Sequence, residues 1–214
     1  MNLPDKTLNV AWYFPCPIYT IERPDFLSSV NEVSNERLNE SRKMQQVNDI
    51  YPVLMSDNFF ADPRVTSFSQ FIADTAWGIL QDQGYAMQGL QTNFIEMWTQ
   101  EHYKMSGMEQ HVHGFGSQIV GFYFLEAPEG SSRVVFHDPR PGKIPLNLPE
   151  QDVNKVTVAS QMINFEPKPG LMIFSNAWLP HSFTRHTADS PIKFVHFNLT
   201  VQATPPLPPP AEVV

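Results

Sequence analysis

The second half of the chain is a succession of extended segments cut apart by turns rich in proline and glycine, and this punctuation constrains the fold more than any other feature. Eight segments read as strands: Phe94 to Tyr103, Glu109 to Gly114, Ser117 to Ala127, Arg133 to Asp138, Thr157 to Phe165, Leu171 to Ser175, Pro180 to His186 and Ile192 to Val201. Turns between them are written by Pro128-Glu129-Gly130-Ser131, Pro139-Arg140-Pro141-Gly142, Pro167-Lys168-Pro169-Gly170 and Ala188-Asp189-Ser190-Pro191. Eight antiparallel strands of this length close most naturally into a two-sheet jelly roll.

The first half carries a different period. Asp62 stands as an N-cap before Pro63, and Val65, Phe68, Ile72, Ala76, Ile79 and Leu80 then recur at three- and four-residue spacing up to Gly84. A weaker helical pattern, with Leu27, Val30, Val33 and Leu38 on one side, runs from about Asp25 to Gln46. Helices followed by strands suggest helices buttressing one face of a sheet system, an α+β chain that is mainly β. The expected organisation is one domain over 1–204, helical over 1–92 and β over 93–204, followed by a proline-rich tail at 205–214.

A chain of 214 residues with 42% hydrophobic content and sixteen Phe can bury a core without disulfide staples. Its single cysteine, Cys16, excludes an internal disulfide and suits a reducing compartment. A net charge of −8 disfavours nucleic acid and anionic membrane as partners. The start Met1-Asn2-Leu3-Pro4-Asp5-Lys6 has no basic, apolar leader pattern, and no apolar run is long enough to span a bilayer. The expected location is the cytoplasm, that of the host cell if the source is viral.

All seven histidines fall between His102 and His196. His111 and His113 form a His-x-His pair, and residues two apart on a strand point to one face, so both rings can grip one ion. Alternate strand ends of an antiparallel succession lie at the same mouth. That bookkeeping gathers His111 and His113, His181 at the start of the seventh strand, and Asp138 at the end of the fourth. Three protein ligands with open positions are what a catalytic metal needs. For Asp138, turn formation before Pro139 competes with a ligand role. His102, His137 and His186 read as structural. Trp98, Tyr103, Phe115 and Trp178 are aromatic candidates for the mouth, and Arg140 is a candidate substrate anchor.

Several stretches together resemble the iron(II)/2-oxoglutarate-dependent oxygenases, and within them a family common in marine bacteriophages. They are His111-Val112-His113, Gly121-Phe122-Tyr123-Phe124-Leu125-Glu126-Ala127-Pro128, Phe136-His137-Asp138-Pro139-Arg140, Gly170-Leu171-Met172-Ile173-Phe174-Ser175 leading to Pro180-His181, and Phe194-Val195-His196-Phe197-Asn198. The resemblance implies a double-stranded β-helix and a dioxygenase that hydroxylates a C–H bond while decarboxylating 2-oxoglutarate, with ascorbate as an optional reductant. The commoner motif in that superfamily is His-x-Asp or His-x-Glu, whereas position 113 here is histidine. The ligand set is therefore His111, His113 and His181, with Asp138 as the substitute carboxylate. An Arg or Lys past the last histidine usually receives the distal carboxylate of 2-oxoglutarate in such enzymes, which points to Arg185 or Lys193. His196 and Asn198 share a face of the last strand and line the pocket in this reading. A peptidyl or prolyl residue is the substrate class the resemblance suggests. The competing readings are a non-catalytic jelly-roll module, viral or carbohydrate-binding, and a cupin-type metalloenzyme that uses no 2-oxoglutarate.

Overall fold

The computed structural model describes residues 11, 14–146 and 148–204; the proline-rich tail at 205–214 lies outside them. Ten strands and two α-helices follow in the order β1 (Ile18–Glu22), α1 (Leu27–Met44), β2 (Val53–Met55), α2 (Thr66–Asp82), β3 (Leu90–His102), β4 (Met108–His111), β5 (Ile119–Glu126), β6 (Val134–His137), β7 (Met162–Phe165), β8 (Leu171–Asn176), β9 (His181–Phe183) and β10 (Ile192–Ala203). They form a six-stranded sheet, β1-β8-β5-β10-β3-β2, and a four-stranded sheet, β4-β9-β6-β7. Every pairing is antiparallel, giving the expected jelly roll.

The large sheet is buried on both faces, and the alternation of side chains along its central strands shows which residue serves which face. On β5, Ile119, Tyr123 and Leu125 pack with Val30, Val33, Phe68, Ile72 and Ala76 of the helices. The intervening Val120, Phe122 and Phe124 meet Val134, Phe136 and Phe183 of the small sheet. On β10, Val195, Phe197 and Leu199 face the helices, while Ile192 and Phe194 face the small sheet. This double burial is why β5 and β10 read as nearly continuous apolar runs. Each fully buried Phe contributes about 1.5–3 kcal/mol relative to exposure. Phe124, Phe194 and Phe197 reach complete burial.

The helix signals act through recognisable chemistry. The Asp62 carboxylate accepts the Arg64 backbone N–H at 3.0 Å and caps a short 3-10 turn, Pro63–Val65, that leads into α2. At the other end Gly84 takes φ +92°, and Tyr85 N–H reaches back to Leu80 O at 3.1 Å. That bond satisfies a carbonyl the helix leaves open. Among the described residues no helix is long and apolar enough to cross a membrane.

Two strands escaped the sequence reading. The five-residue β1 is an edge strand with mostly exposed side chains, and β2 has three residues. Neither carries a periodic pattern; each is extended because a neighbour, β8 or β3, offers it a ladder. The fifth expected strand is also shorter than read. It begins at Met162, because Thr157–Ser160 closes a turn with Ser160 N–H on Thr157 O at 3.1 Å.

Candidate metal centre

Pairing in the small sheet assembles the histidines. β4 runs antiparallel to β9 with His111 opposite His181, and β6 lies on the other side of β9 with Phe136 opposite His181. β4 ends at His111, so strand alternation alone does not carry His113. Its N–H donates to Ala177 O at 2.9 Å, tying the segment after β4 to the turn before β9. The rings lie 5.2 Å (His111 to His113), 4.5 Å (His111 to His181) and 5.1 Å (His113 to His181) apart. One nitrogen from each falls within 4.8 Å of the others.

The hydrogen bonds prepare these rings as ligands. His111 Nδ1 lies 2.8 Å from Glu109 O and His181 Nδ1 lies 3.1 Å from Leu179 O. A carbonyl oxygen only accepts, so each Nδ1 carries the proton and a neutral ring leaves a bare lone pair on Nε2. Burial holds His181 down to about 3 and His113 down to about 4, the latter helped by the neighbouring His111, so both are uncharged at neutral pH. Nε2 of His113 and Nε2 of His181 stand 3.3 Å apart. Two imidazole nitrogens bound at about 2.1 Å to one ion, roughly at right angles, are separated by about 3 Å. The donor set and its spacing therefore fit a metal ion that accepts nitrogen ligands. Phe122 and Phe136, 5.5 and 5.9 Å from the His181 ring, shield the inner side of the cluster.

The other candidate residues separate clearly. Asp138 lies just past β6, but its carboxylate accepts from Arg140 at 2.6 Å and Lys143 at 2.9 Å, and these cations hold its pKa far below the usual carboxylate range. It is not part of the histidine group, which is the only cluster of three or more metal-binding side chains among the described residues. Lys193 does not reach the histidines either. It lies on the helix-facing side of β10, where its ammonium donates to Glu126 at 2.6 Å and Asn35 at 2.8 Å. Arg185 is exposed and donates to Met105 O at 2.7 Å. His186 and His137 have structural bonds, to Ser132 N and Ser190 O and to Ser182 Oγ respectively.

His196 and Asn198 are buried on the sheet face opposite the cluster, and the His196 ring stacks 5.0 Å from His113. Trp98 is the cross-strand partner of His196, with rings 4.5 Å apart. Tyr103 instead donates to Glu101 at 2.7 Å, on the side where Lys193 lies. At the rim, Phe115 is fully exposed with φ +54° and Trp178 is half exposed, on the two segments that flank His113 and His181. A cavity of about 420 Å³ is walled by Phe136, Leu179, Asp138 and Arg140, and none of the three histidines lines it. Sequence reasoning did not single out that cavity, because its walls come from segments as distant as Ile18, Arg140 and Ile163.

Three histidines at one mouth of a double-stranded β-helix make a candidate metal centre, and known proteins of similar sequence and fold bear on its class. Residues 96–198 match the family described as "Putative 2OG-Fe(II) oxygenase". AviO1 from Streptomyces viridochromogenes Tue57 has a similar fold, with a TM-score of 0.61 at 14% identity over 90% of this chain and 93% of that one. The viral collagen prolyl hydroxylase of Paramecium Bursaria Chlorella virus-1, solved with 2OG, gives 0.54 at 11% identity over 86% and 96%. HygX from Streptomyces hygroscopicus, solved with nickel, 2-oxoglutarate and hygromycin B, gives 0.55 at 13% identity over 86% and 83%. No curated protein sequence matches. Nearly half of the chain thus resembles the 2OG-Fe(II) oxygenases in sequence, and its fold is that of solved structures such as AviO1.

Proposed function

We propose that this protein is an iron(II)- and 2-oxoglutarate-dependent dioxygenase that hydroxylates a peptidyl residue, with proline as the leading class, and that His111, His113 and His181 hold the iron. The convergence of three imidazoles, two of them oriented by backbone carbonyls, carries the metal assignment. Held there, iron(II) with 2-oxoglutarate would supply a coupled oxidation by dioxygen, one oxygen atom going into the succinate formed as the keto acid loses carbon dioxide and the other into a hydroxyl on a substrate C–H bond. Imidazole ligands also suit zinc, nickel and copper, so the isolated protein is expected to take these ions too.

The protein's share is positional. Backbone carbonyls at Glu109 and Leu179 fix the tautomers of His111 and His181, while Phe122 and Phe136 keep water from the inner side. The cavity beyond Phe136 and Leu179 has room for a substrate side chain, with Arg140 at its wall as an anchor. The peptidyl reading draws on the structural likeness to a viral collagen prolyl hydroxylase and on the apolar rim of Phe115 and Trp178.

Calorimetric titration with Mn(II), followed by 2-oxoglutarate, tests the assignment. The expected result is uptake of one metal and of keto acid only after metal, with both lost in His181→Ala. Metal uptake without keto acid would identify a cupin-type protein, and uptake of neither would identify a binding module. Unchanged metal affinity in His181→Ala would refute the ligand set.

A further inference from the structure

One edge of the large sheet is covered over only part of its length. β2 pairs with β3 from Gln100 to His102 alone. From Leu90 to Phe94, β3 has β10 on one side and no strand on the other among the described residues. A groove of about 780 Å³ lies there, walled by this stretch of β3 and by α2. Its apolar lining is aromatic. Phe60 and Phe94 stack with rings 5.4 Å apart and 8° between their planes, and the Trp77 indole is pinned by its N–H on Leu90 O at 3.0 Å. All three side chains are half-buried, as the walls of a groove and not the interior of a core.

Charge and length narrow what fits. Asp74 is the one charged residue on the wall among the described residues, and its carboxylate already accepts from Gln70 Nε2 at 2.8 Å. No cation lines the groove to receive an acidic or phosphorylated partner, so the occupant is an uncharged one. Such a segment begins at the groove itself. Thr204 lies on its wall, held by its N–H on Gly89 O at 2.9 Å, and the next six residues are Pro205-Pro206-Leu207-Pro208-Pro209-Pro210. Proline has no N–H, so this run offers apolar rings and carbonyl acceptors, with a single backbone donor at Leu207. Aromatic-lined grooves take proline-rich segments as polyproline II, a form that loses little entropy on docking. At about 3.1 Å per residue, six such residues span about 19 Å. The part of α2 from Thr66 to Trp77 along the groove is about 17 Å long at about 1.5 Å per residue.

We propose that the groove between α2 and the open edge of β3 is the docking site of the chain's own proline-rich segment, Pro205–Pro210, which lies against Trp77, Phe60 and Phe94. Docked there, the segment also covers a sheet edge that would otherwise invite pairing with another chain. Nothing in this docking depends on the histidines.

The test is hydrogen exchange of three proteins: the full chain, a chain ended at Thr204, and the full chain carrying Pro206→Ser, Leu207→Ser and Pro209→Ser together. All of these changes lie outside the described residues, so the groove itself is left intact. A segment tethered at an effective concentration of about 1 mM, against an intrinsic Kd of about 0.1 mM, is docked about nine-tenths of the time. The outward-facing amides of residues 91–94 should therefore exchange about tenfold more slowly in the full chain than in either variant. A synthetic peptide of residues 205–214, added at about 1 mM, should restore that protection to the shortened chain. Exchange at 91–94 that is alike in all three proteins would overturn the proposal, as would protection that the peptide fails to restore. Protection that grows with protein concentration would assign the groove to a second copy's segment and overturn docking within one chain.

Discussion

Acid should destabilise this protein well above the pH at which its carboxylates titrate, and His102 gives the cleanest measure. The ring is fully buried between Phe183 and Phe194, 5.4 and 5.0 Å away, with Nε2 on Gln100 Oε1 at 2.9 Å. Burial, with a smaller push from His186, lowers its pKa from 6.5 to about 3. Because the folded value is depressed, the unfolded chain takes up the proton first as pH falls. The stability is therefore complete above about pH 6.5 and drains away toward about pH 3, at about 1.4 kcal/mol per pH unit. Going from about pH 7.5 to about pH 5.0 thus costs about 2 kcal/mol from this residue alone. Asp62 and Asp138, held low by their arginine and lysine partners, lose their contribution only near and below the ordinary carboxylate range, so they add little between about pH 7.5 and about pH 5.0. His113, His181 and His196, also depressed by burial, add slope of the same sign. Urea unfolding of metal-free wild type and His102→Phe across this range is the assay. The variant keeps the ring stack, so its stability should fall less steeply by about 1.4 kcal/mol per pH unit, whatever its offset at neutral pH. Parallel curves for the two proteins would refute the argument.

Gly121→Ala should cost about 3 kcal/mol, because the added Cβ would lie 2.2 Å from Phe197 Cζ and 2.5 Å from the Ile173 carbonyl oxygen, a backbone atom that cannot swing aside. A urea midpoint within about 0.5 kcal/mol of wild type would show that the β5–β8 packing yields more than this geometry implies. Lys193→Met should cost only about 1 kcal/mol, because the buried Glu101 keeps its ion pair with Arg42 and Glu126 is half exposed, so what is lost is the pair of hydrogen bonds to Glu126 and Asn35. The folded variant should still take up metal and keto acid. Loss of keto-acid binding alone would return Lys193 to the site.

Much of the site was legible in one dimension. The His-x-His pair, the later His181 and the succession of turns bring three imidazoles to one mouth by strand counting, and the structure assembles them there. What strand counting could not weigh was the company each side chain keeps. Asp138 reaches the expected end of β6, yet two cations from the following turn occupy its carboxylate. Lys193 follows His181 at a fitting distance along the chain, yet the pleat turns it to the helix face. His113 stays with its partners through a backbone bond to Ala177 rather than through strand alternation.

The chain by itself determined the alternation of apolar residues, the turn positions, the capped second helix and the supply of imidazoles, because each depends on neighbours a few residues apart. Only the tertiary structure decided the pairing of Trp98 with His196, the strands formed by Ile18–Glu22 and Val53–Met55, and which basic groups are free to meet an acid. Those depend on register and on partners many residues away, such as Lys193 with Asn35, and sheet register is set by packing that no local pattern encodes.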